Sequence, residues 1–248
     1  MVRFDEVARI GVLFALFALT VSATPIPGLV STGTASPGNP EPNWQYAYSP
    51  APITSGFVFN QAFVTNDSGY PFPYWVANST TSRWISPNAT YGLGVFDDPV
   101  GYYYFQLSFN LTPGYIPSTG TFTFRLSTDN WLNSVWMNGT YIPTGYEGDG
   151  VLNHTFWTNP ITVGPGPSSG LVSGLNNLVV VVYNKPVEVT GTIPSNPATW
   201  NPAGLRLEIL SSEINFVPPP GGEIPEPGTL MLLGGGLLAI GFMQLRRK

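Results

Sequence analysis

The sequence predicts an all-β fold, an antiparallel β-sandwich, on three observations. Several segments alternate apolar and polar residues with a period of two, an Asn-Gly pair sits between two apolar runs, and no segment between the chain's ends keeps a helical period. Composition agrees. Charged residues make up 9%, aromatics 14%, and 28 Gly and 26 Pro supply the turns, as in an exported β-rich protein rather than a helical cytosolic enzyme.

The first stretch after the apolar N-terminus, "TPIPGLVSTGTASPGNPEP" (24–42), is rich in Pro and Gly without apolar periodicity and reads as an extended linker. A working domain is expected over 43–216. Within it, "YYYFQLSFNL" puts Tyr103, Phe105, Leu107, Phe109 and Leu111 on one face, against Tyr102, Tyr104, Gln106, Ser108 and Asn110 on the other. "TFTFRLS" repeats the device, with Phe122, Phe124 and Leu126 inward and Thr121, Thr123 and Arg125 outward.

"VWMNGTYI" centres a hairpin on Asn138-Gly139, a pair suited to the positive φ values of a type I′ turn. "NNLVVVVYN" is a continuous β-branched run, as expected of a strand covered on both faces. "GLRLEIL" alternates Leu205, Leu207 and Ile209 with Arg206 and Glu208. After this strand, 217–224 reads as a second Pro- and Gly-rich linker.

The chemistry available is narrow. Between Thr24 and Ile224 four basic residues face eleven acidic ones, a net of −7, which argues against nucleic acid. There is no cysteine, so no disulfide and no thiolate metal site. His154 is the single histidine, which rules out two-histidine zinc motifs; with no Gly-x-Ser-x-Gly elbow it reads as a surface histidine rather than a catalytic one. No Gly-rich loop joins a strand to a helix, so nucleotide binding has no support. Paired carboxylates for glycoside hydrolysis have candidates in Asp97-Asp98, Asp129 and Glu147/Asp149, although acidic residues in Gly-rich loops usually cap turns. Six Asn-x-Ser/Thr sequons, at Asn66, Asn78, Asn88, Asn110, Asn138 and Asn153, read as a by-product of Asn/Thr-rich strands.

The two ends are addresses. Arg3 and Arg9 precede an uncharged run from Ile10 to Val21, and Val21-Ser22-Ala23 offers small residues for signal peptidase, so residues 1–23 are expected to be a signal peptide cleaved after Ala23. Asp5 and Glu6 dilute the basic region, which leaves an uncleaved anchor as the alternative. At the other end Gly228 to Leu245 is uncharged, and about 18 residues at about 1.5 Å each span a thin bilayer as a transmembrane helix. Arg246, Arg247 and Lys248 would stay on the cytoplasmic side.

Pro225, Glu226, Pro227 and Gly228, the Gly-rich apolar stretch and the terminal Arg-Arg-Lys together resemble the PEP-CTERM sorting signal over residues 225–248. That resemblance implies a membrane-anchored intermediate in a Gram-negative bacterium, processing by an exosortase near the Pro-Glu-Pro, and delivery to the cell surface or extracellular matrix. A bare single-span anchor is the alternative.

The order "RWISPN", the alternating strand, "STDNWLNSVWMNG", "GLNNLVVVVYN" and "NPAGLRLEI" resembles the galactose-binding-like jelly roll, from Trp84 to Leu210. The resemblance implies loops on one rim where sugars or calcium often bind. This chain has no run of acidic ligands there, so no cofactor is expected and a structural calcium has no support.

Seven tryptophans in so uncharged a domain point to a sugar platform, since pyranose C–H faces stack on aromatic rings while hydroxyls bond to Asn and Asp. The candidates are Asp129, Asn130 and Trp131 in one loop, with Trp136 out of phase with Val135 and Met137; Trp157, Trp200 and Tyr146 are weaker, and Trp84 reads as core. The chain is therefore expected to be an exported, non-enzymatic carbohydrate-binding module of extracellular polysaccharide. The alternatives are a structural or adhesive matrix protein and a polysaccharide-modifying enzyme.

Overall fold

The computed structural model describes residues 21–91, 98–148, 154–186 and 201–218. Residues Ser22–Phe216 form one compact unit. The second unit, Met1–Val21 with Val217–Lys248, is described only at 21, 217 and 218, so the expected signal helix and membrane helix lie outside the described residues. Among the described residues no helix is long and apolar enough to cross a membrane.

The strands are β1 (Ser22–Thr24), β2 (Pro40–Ser49), β3 (Asn60–Val64), β4 (Ile85–Ser86), β5 (Gly101–Leu111), β6 (Tyr115–Asp129), β7 (Trp131–Met137), β8 (Thr140–Tyr141), β9 (Ile161–Val163), β10 (Gly174–Asn184) and β11 (Gly204–Phe216). A single 3₁₀ turn, Pro167–Ser169, is the only helical element among the described residues. All described pairings are antiparallel.

Hydrogen bonding runs continuously in the order β8-β7-β10-β5-β2-β3-β4-β11-β6-β9, with β1 added to β11. The sheet curls on itself at the short β3 and β4 pairings, so that β8-β7-β10-β5-β2 and β4-β11-β6-β9 become the two layers of a sandwich. One hydrophobic cluster fills the space between them. It draws Phe105, Leu107, Leu132 and Val180 from the first layer and Phe124, Leu126, Leu205 and Leu207 from the second, each at most 1% exposed. Period-two alternation makes this possible, because inward residues of facing layers can interdigitate.

β5 follows the expected alternation on its inner face. Its outer face is not uniformly wet: Tyr104 is 5% exposed and joins Ala47 and Val181 under Ile53, Phe57 and Phe59. Residues 53–59 fold over this layer, and Tyr104 Oη anchors them by accepting from the Ile53 amide at 2.8 Å. The same cover explains the continuous apolar run of β10.

Trp84 is core, at 0% exposed. β11 corrects the expected alternation. Arg206 and Glu208 are 2% and 7% exposed, because the 76–82 loop and Trp157 cover them. Arg206 donates to the Val76 and Ala77 carbonyls and to Ser82 Oγ at 3.0 Å, and Arg125 pairs with Glu208 at 2.7 Å. Both guanidiniums lie 4.4 Å from the Trp157 ring centre. Trp157 is thus occupied by cations.

The segment 24–42 is not a linker. Ile26 and Leu29 are 2% and 6% exposed within the main cluster, and buried Thr32 exchanges hydrogen bonds with the backbone of Leu207. Two well-spaced apolar side chains and one hydroxyl suffice to dock an aperiodic strap, and Pro and Gly disguise it in the sequence. β1 adds a further surprise. Ser22, Ala23 and Thr24 pair with Phe216, Asn215 and Ile214, so a cut after Ala23 falls inside a strand.

The Asn-Gly hairpin forms as expected, with φ of 50° at Asn138 and 80° at Gly139. Asn138 also braces the neighbouring strand, accepting from the Asn177 amide at 2.8 Å and donating to Gly170 O at 2.9 Å. A Cβ at Gly139 would meet nothing within 4 Å. Gly139→Ala is therefore expected to cost about 1 kcal/mol through backbone strain alone, lowering the thermal midpoint by about 3 °C. An unchanged midpoint in thermal denaturation would contradict the turn assignment.

Candidate functional site

β7, β10 and β5 lie side by side, and their register sets Trp131 opposite Tyr183 and Tyr183 opposite Tyr102. The adjacent Leu132, Val182 and Tyr103 point into the core, at 0%, 0% and 1% exposed. Alternation then turns Trp131, Tyr183 and Tyr102 outward. The Trp131 and Tyr183 ring centres are 5.4 Å apart and those of Tyr183 and Tyr102 4.8 Å, spacings that direct cross-strand pairing dictates.

This row of three rings lies in an open cleft of about 550 Å³ that is also lined by Asn133, Gly148, Lys185 and Pro186. Lys185 Nζ lies 5.3 Å from the Trp131 ring centre. Its backbone amide donates to Asn130 Oδ1 at 2.8 Å, so Asn130 holds the end of β10 against the start of β7. Of the domain's other basic residues, Arg83 donates to the Gly33 and Ala35 carbonyls, while Arg125 and Arg206 belong to the Trp157 cluster. Burial lowers the Arg206 guanidinium to about 10, with Glu208 opposing and Arg125 reinforcing the shift.

Asp129, expected beside Trp131 at a ligand, is instead 4% exposed and does not line the cleft. Its Oδ2 accepts from Trp75 Nε1 at 2.7 Å and its Oδ1 from Asn130 Nδ2 at 2.8 Å, with His154 Nδ1 3.6 Å from Oδ1. Burial pushes this carboxyl up to about 7, opposed by the Trp75 hydrogen bond and supported by the charge of Asp98. Asp129 sits at the end of β6, where β11 begins, on the face that alternation turns away from the core; the loop carrying Trp75 covers it, so its carboxyl must find polar partners, and the Trp75 indole provides one. His154 is half-buried rather than a surface residue, and burial lowers its pKa.

Trp136 faces solvent as its phase suggested, 37% exposed between Val135 and Met137 at 0%. It stands opposite Val179, four residues along β10 from Tyr183 or about 13 Å away, and packs on Tyr141 with ring centres 5.3 Å apart. It is not part of the cleft. Trp200 lies outside the described residues, and Tyr146 is held against the core with its hydroxyl accepting from the Asn159 amide at 2.9 Å.

The carboxylates proposed for a hydrolytic pair are engaged elsewhere. Asp98 is 3% exposed and accepts from Asn88 Nδ2 at 2.8 Å, from Tyr91 Oη at 2.5 Å and from the Ala203 amide at 2.7 Å. Glu147 accepts from Tyr141, and from the amide and hydroxyl of Thr144; burial raises its pKa, but these hydrogen bonds outweigh it and hold the carboxyl below its usual range. Asp97 and Asp149 lie outside the described residues. Among the described residues no group of three or more His, Asp or Glu side chains could hold a metal ion.

Of this row, sequence reasoning named Trp131 as a candidate and neither Tyr183 nor Tyr102. Tyr183 and Tyr102 carried a signal in their outward phase, yet only the β5-β10-β7 register brings the three rings together.

Residues 223–248 match the family model of the PEP-CTERM protein-sorting motif. The chain carries a PEP-CTERM sorting motif. Pro225, Glu226, Pro227, Gly228, Arg246, Arg247 and Lys248 all fall within the match and outside the described residues. A PEP-CTERM motif marks an exported protein sorted by an exosortase to the cell surface in Gram-negative bacteria. No curated protein matches the sequence. Among solved structures, a cyclase from Fischerella sp. TAU is similar at 11% identity and a TM-score of 0.35, over 79% of this chain and 97% of that one. A putative beta-galactosidase from Bacteroides fragilis is similar at 12% identity and 0.30, over 76% and 23%. A beta-glucuronidase from Ruminococcus gnavus is similar at 12% and 0.31, over 80% and 29%. The chain spans less than a third of the length of these two glycosidases. At such scores the function rests on the residues of this chain alone.

Proposed function

We propose that the exported β-sandwich is a non-catalytic carbohydrate-binding module that acts in or on extracellular polysaccharide. The observation that carries this reading is the Trp131-Tyr183-Tyr102 row on three adjacent strands, open to solvent in one cleft. A pyranose presents apolar C–H groups on its faces and hydroxyls around its edge. The row offers three rings for the faces, and Asn133 and Lys185 offer polar groups for the edge.

The rings are placed by strand register rather than by loops, so little freedom is lost on binding. Three stacked contacts worth about 1 kcal/mol each, with a few solvent-exchanged hydrogen bonds, correspond to roughly millimolar affinity for a short oligosaccharide. Such weak contacts suit a polymer with many repeats. Exosortase sorting would deliver the module to the surface where such polymers accumulate.

The test is native affinity electrophoresis of the full chain in mild detergent through the producer's own exopolysaccharide, with and without calcium. Retardation in both conditions is expected, with no reducing ends released in the same mixtures. Free migration combined with concentration-dependent self-association would favour a structural or adhesive role, and release of reducing ends would favour an enzyme.

A further inference from the structure

A second cleft, of about 420 Å³, lies on the other layer of the sandwich and is built by the aromatic loop "GYPFPYW", Gly69 to Trp75. Asp67, Phe72, Tyr74, Trp75, Asn78 and Thr155 line it. Tyr74 is 63% exposed, the most exposed aromatic ring among the large hydrophobic residues described. The loop belongs to the β11 layer. A Cβ on Gly204 would come within 2.4 Å of the Trp75 ring, so glycine is what lets the loop close on the strand.

Nothing about this loop is slack. The Phe72 and Tyr74 amides bond back to the Gly69 and Pro71 carbonyls at 2.9 Å, and the Val76 amide bonds to His154 O at 2.8 Å. Trp75 is buried at 2%, packed on Trp84 at a tilt of 33° with ring centres 4.2 Å apart, and tied to Asp129. Its neighbour Tyr74 is thereby held outward. Asn78 is oriented as well: its Oδ1 accepts from the Trp84 amide at 2.9 Å, which aims its Nδ2 at Asp67 Oδ2, 3.3 Å away.

An exposed ring on a tied loop, next to an oriented amide and an exposed carboxylate, is complementary to a flat ligand with an apolar face and hydroxyl donors at its edge. The charged lining residue is an acid, which disfavours phosphates and acidic chains. We propose that this cleft is a second, independent site for a neutral, hydroxyl-rich glycan, and that one molecule therefore bridges two polysaccharide strands. The two clefts open from different layers of the sandwich, which directs them to separate strands. The proposal rests on the carbohydrate reading of the first cleft. Two weak sites on one rigid body give avidity on a polymer and cross-link it.

The experiment compares the full chain with Tyr74→Ala, Tyr74→Phe, Trp131→Ala and the Tyr74→Ala/Trp131→Ala double variant, all in mild detergent. Electrophoretic retardation and solution viscosity are read with the producer's exopolysaccharide. Tyr74→Ala is expected to weaken retardation about threefold or more and to abolish the rise in viscosity, while Tyr74→Phe, which keeps the ring, retains both. The double variant should migrate freely. Wild-type retardation and viscosity in Tyr74→Ala would overturn the second site while leaving the first intact. Normal behaviour of Trp131→Ala with loss in Tyr74→Ala would overturn the first cleft and with it the bridging, leaving the Tyr74 cleft as a single site. No retardation of the unaltered chain would overturn both.

Discussion

Asp129→Ala is expected to lower stability by about 3 kcal/mol at pH 5, or roughly 10 °C in thermal midpoint. The change leaves Trp75 Nε1, bonded at 2.7 Å in a ring only 2% exposed, without its acceptor, and it frees the Asn130 amide that positions Lys185. Trp75 packs on Trp84 and against Gly204, so its movement would loosen the start of β11. A midpoint within 2 °C of the unaltered chain at pH 5 would refute this role.

The same carboxyl sets a pH dependence whose sign follows from its raised pKa. A folded-state value of about 7 against a usual 3.8 means that the folded chain holds a proton the unfolded chain gives up. Its contribution is complete below about pH 4 and is lost as pH rises toward 7, an upper bound of about 4 kcal/mol. His154, whose pKa is lowered by burial, works in the opposite direction over part of this window, gaining as pH rises toward its usual 6.5. Glu147 and Glu208, both held below the usual 4.5, lose their contributions only at lower pH. Asp129→Asn keeps an acceptor for Trp75 and carries no charge. Comparing its stability profile with that of the unaltered chain isolates the Asp129 part, and the variant should be the more stable of the two above pH 7. Parallel profiles from pH 4 to 8 would show that Asp129 is ionised throughout.

Trp131→Ala is the complementary case, with a large effect on binding and a small one on stability. Losing the first ring of the row is expected to weaken retardation about tenfold, while the half-exposed position limits the stability loss to about 1 kcal/mol, or about 3 °C. The fall in midpoint reflects lost contact with Tyr183 and with the Lys185 side chain. Retardation equal to that of the unaltered chain would remove the aromatic row from the binding surface. A fall of 10 °C would place Trp131 among the supports of the fold instead.

The sequence by itself determined what depends on neighbours along the chain. The alternation of Tyr103 to Leu111 named the inner face of β5, the demands of positive φ named the Asn138-Gly139 turn, and the ordered Pro-Glu-Pro, apolar stretch and basic end named the sorting motif. Each is a local rule with a fixed period or offset. The tertiary structure alone decided whatever depends on residues distant in the chain. It buried Asp129 under Trp75, 54 positions away, and covered Arg206 and Glu208, which alternation had turned to water. It docked Ile26 and Leu29 from an aperiodic strap, and it set Trp131, Tyr183 and Tyr102 in one row. Burial is a property of what packs above a residue, and strand register joins segments that share no local signal, so neither is written in any short stretch of the chain.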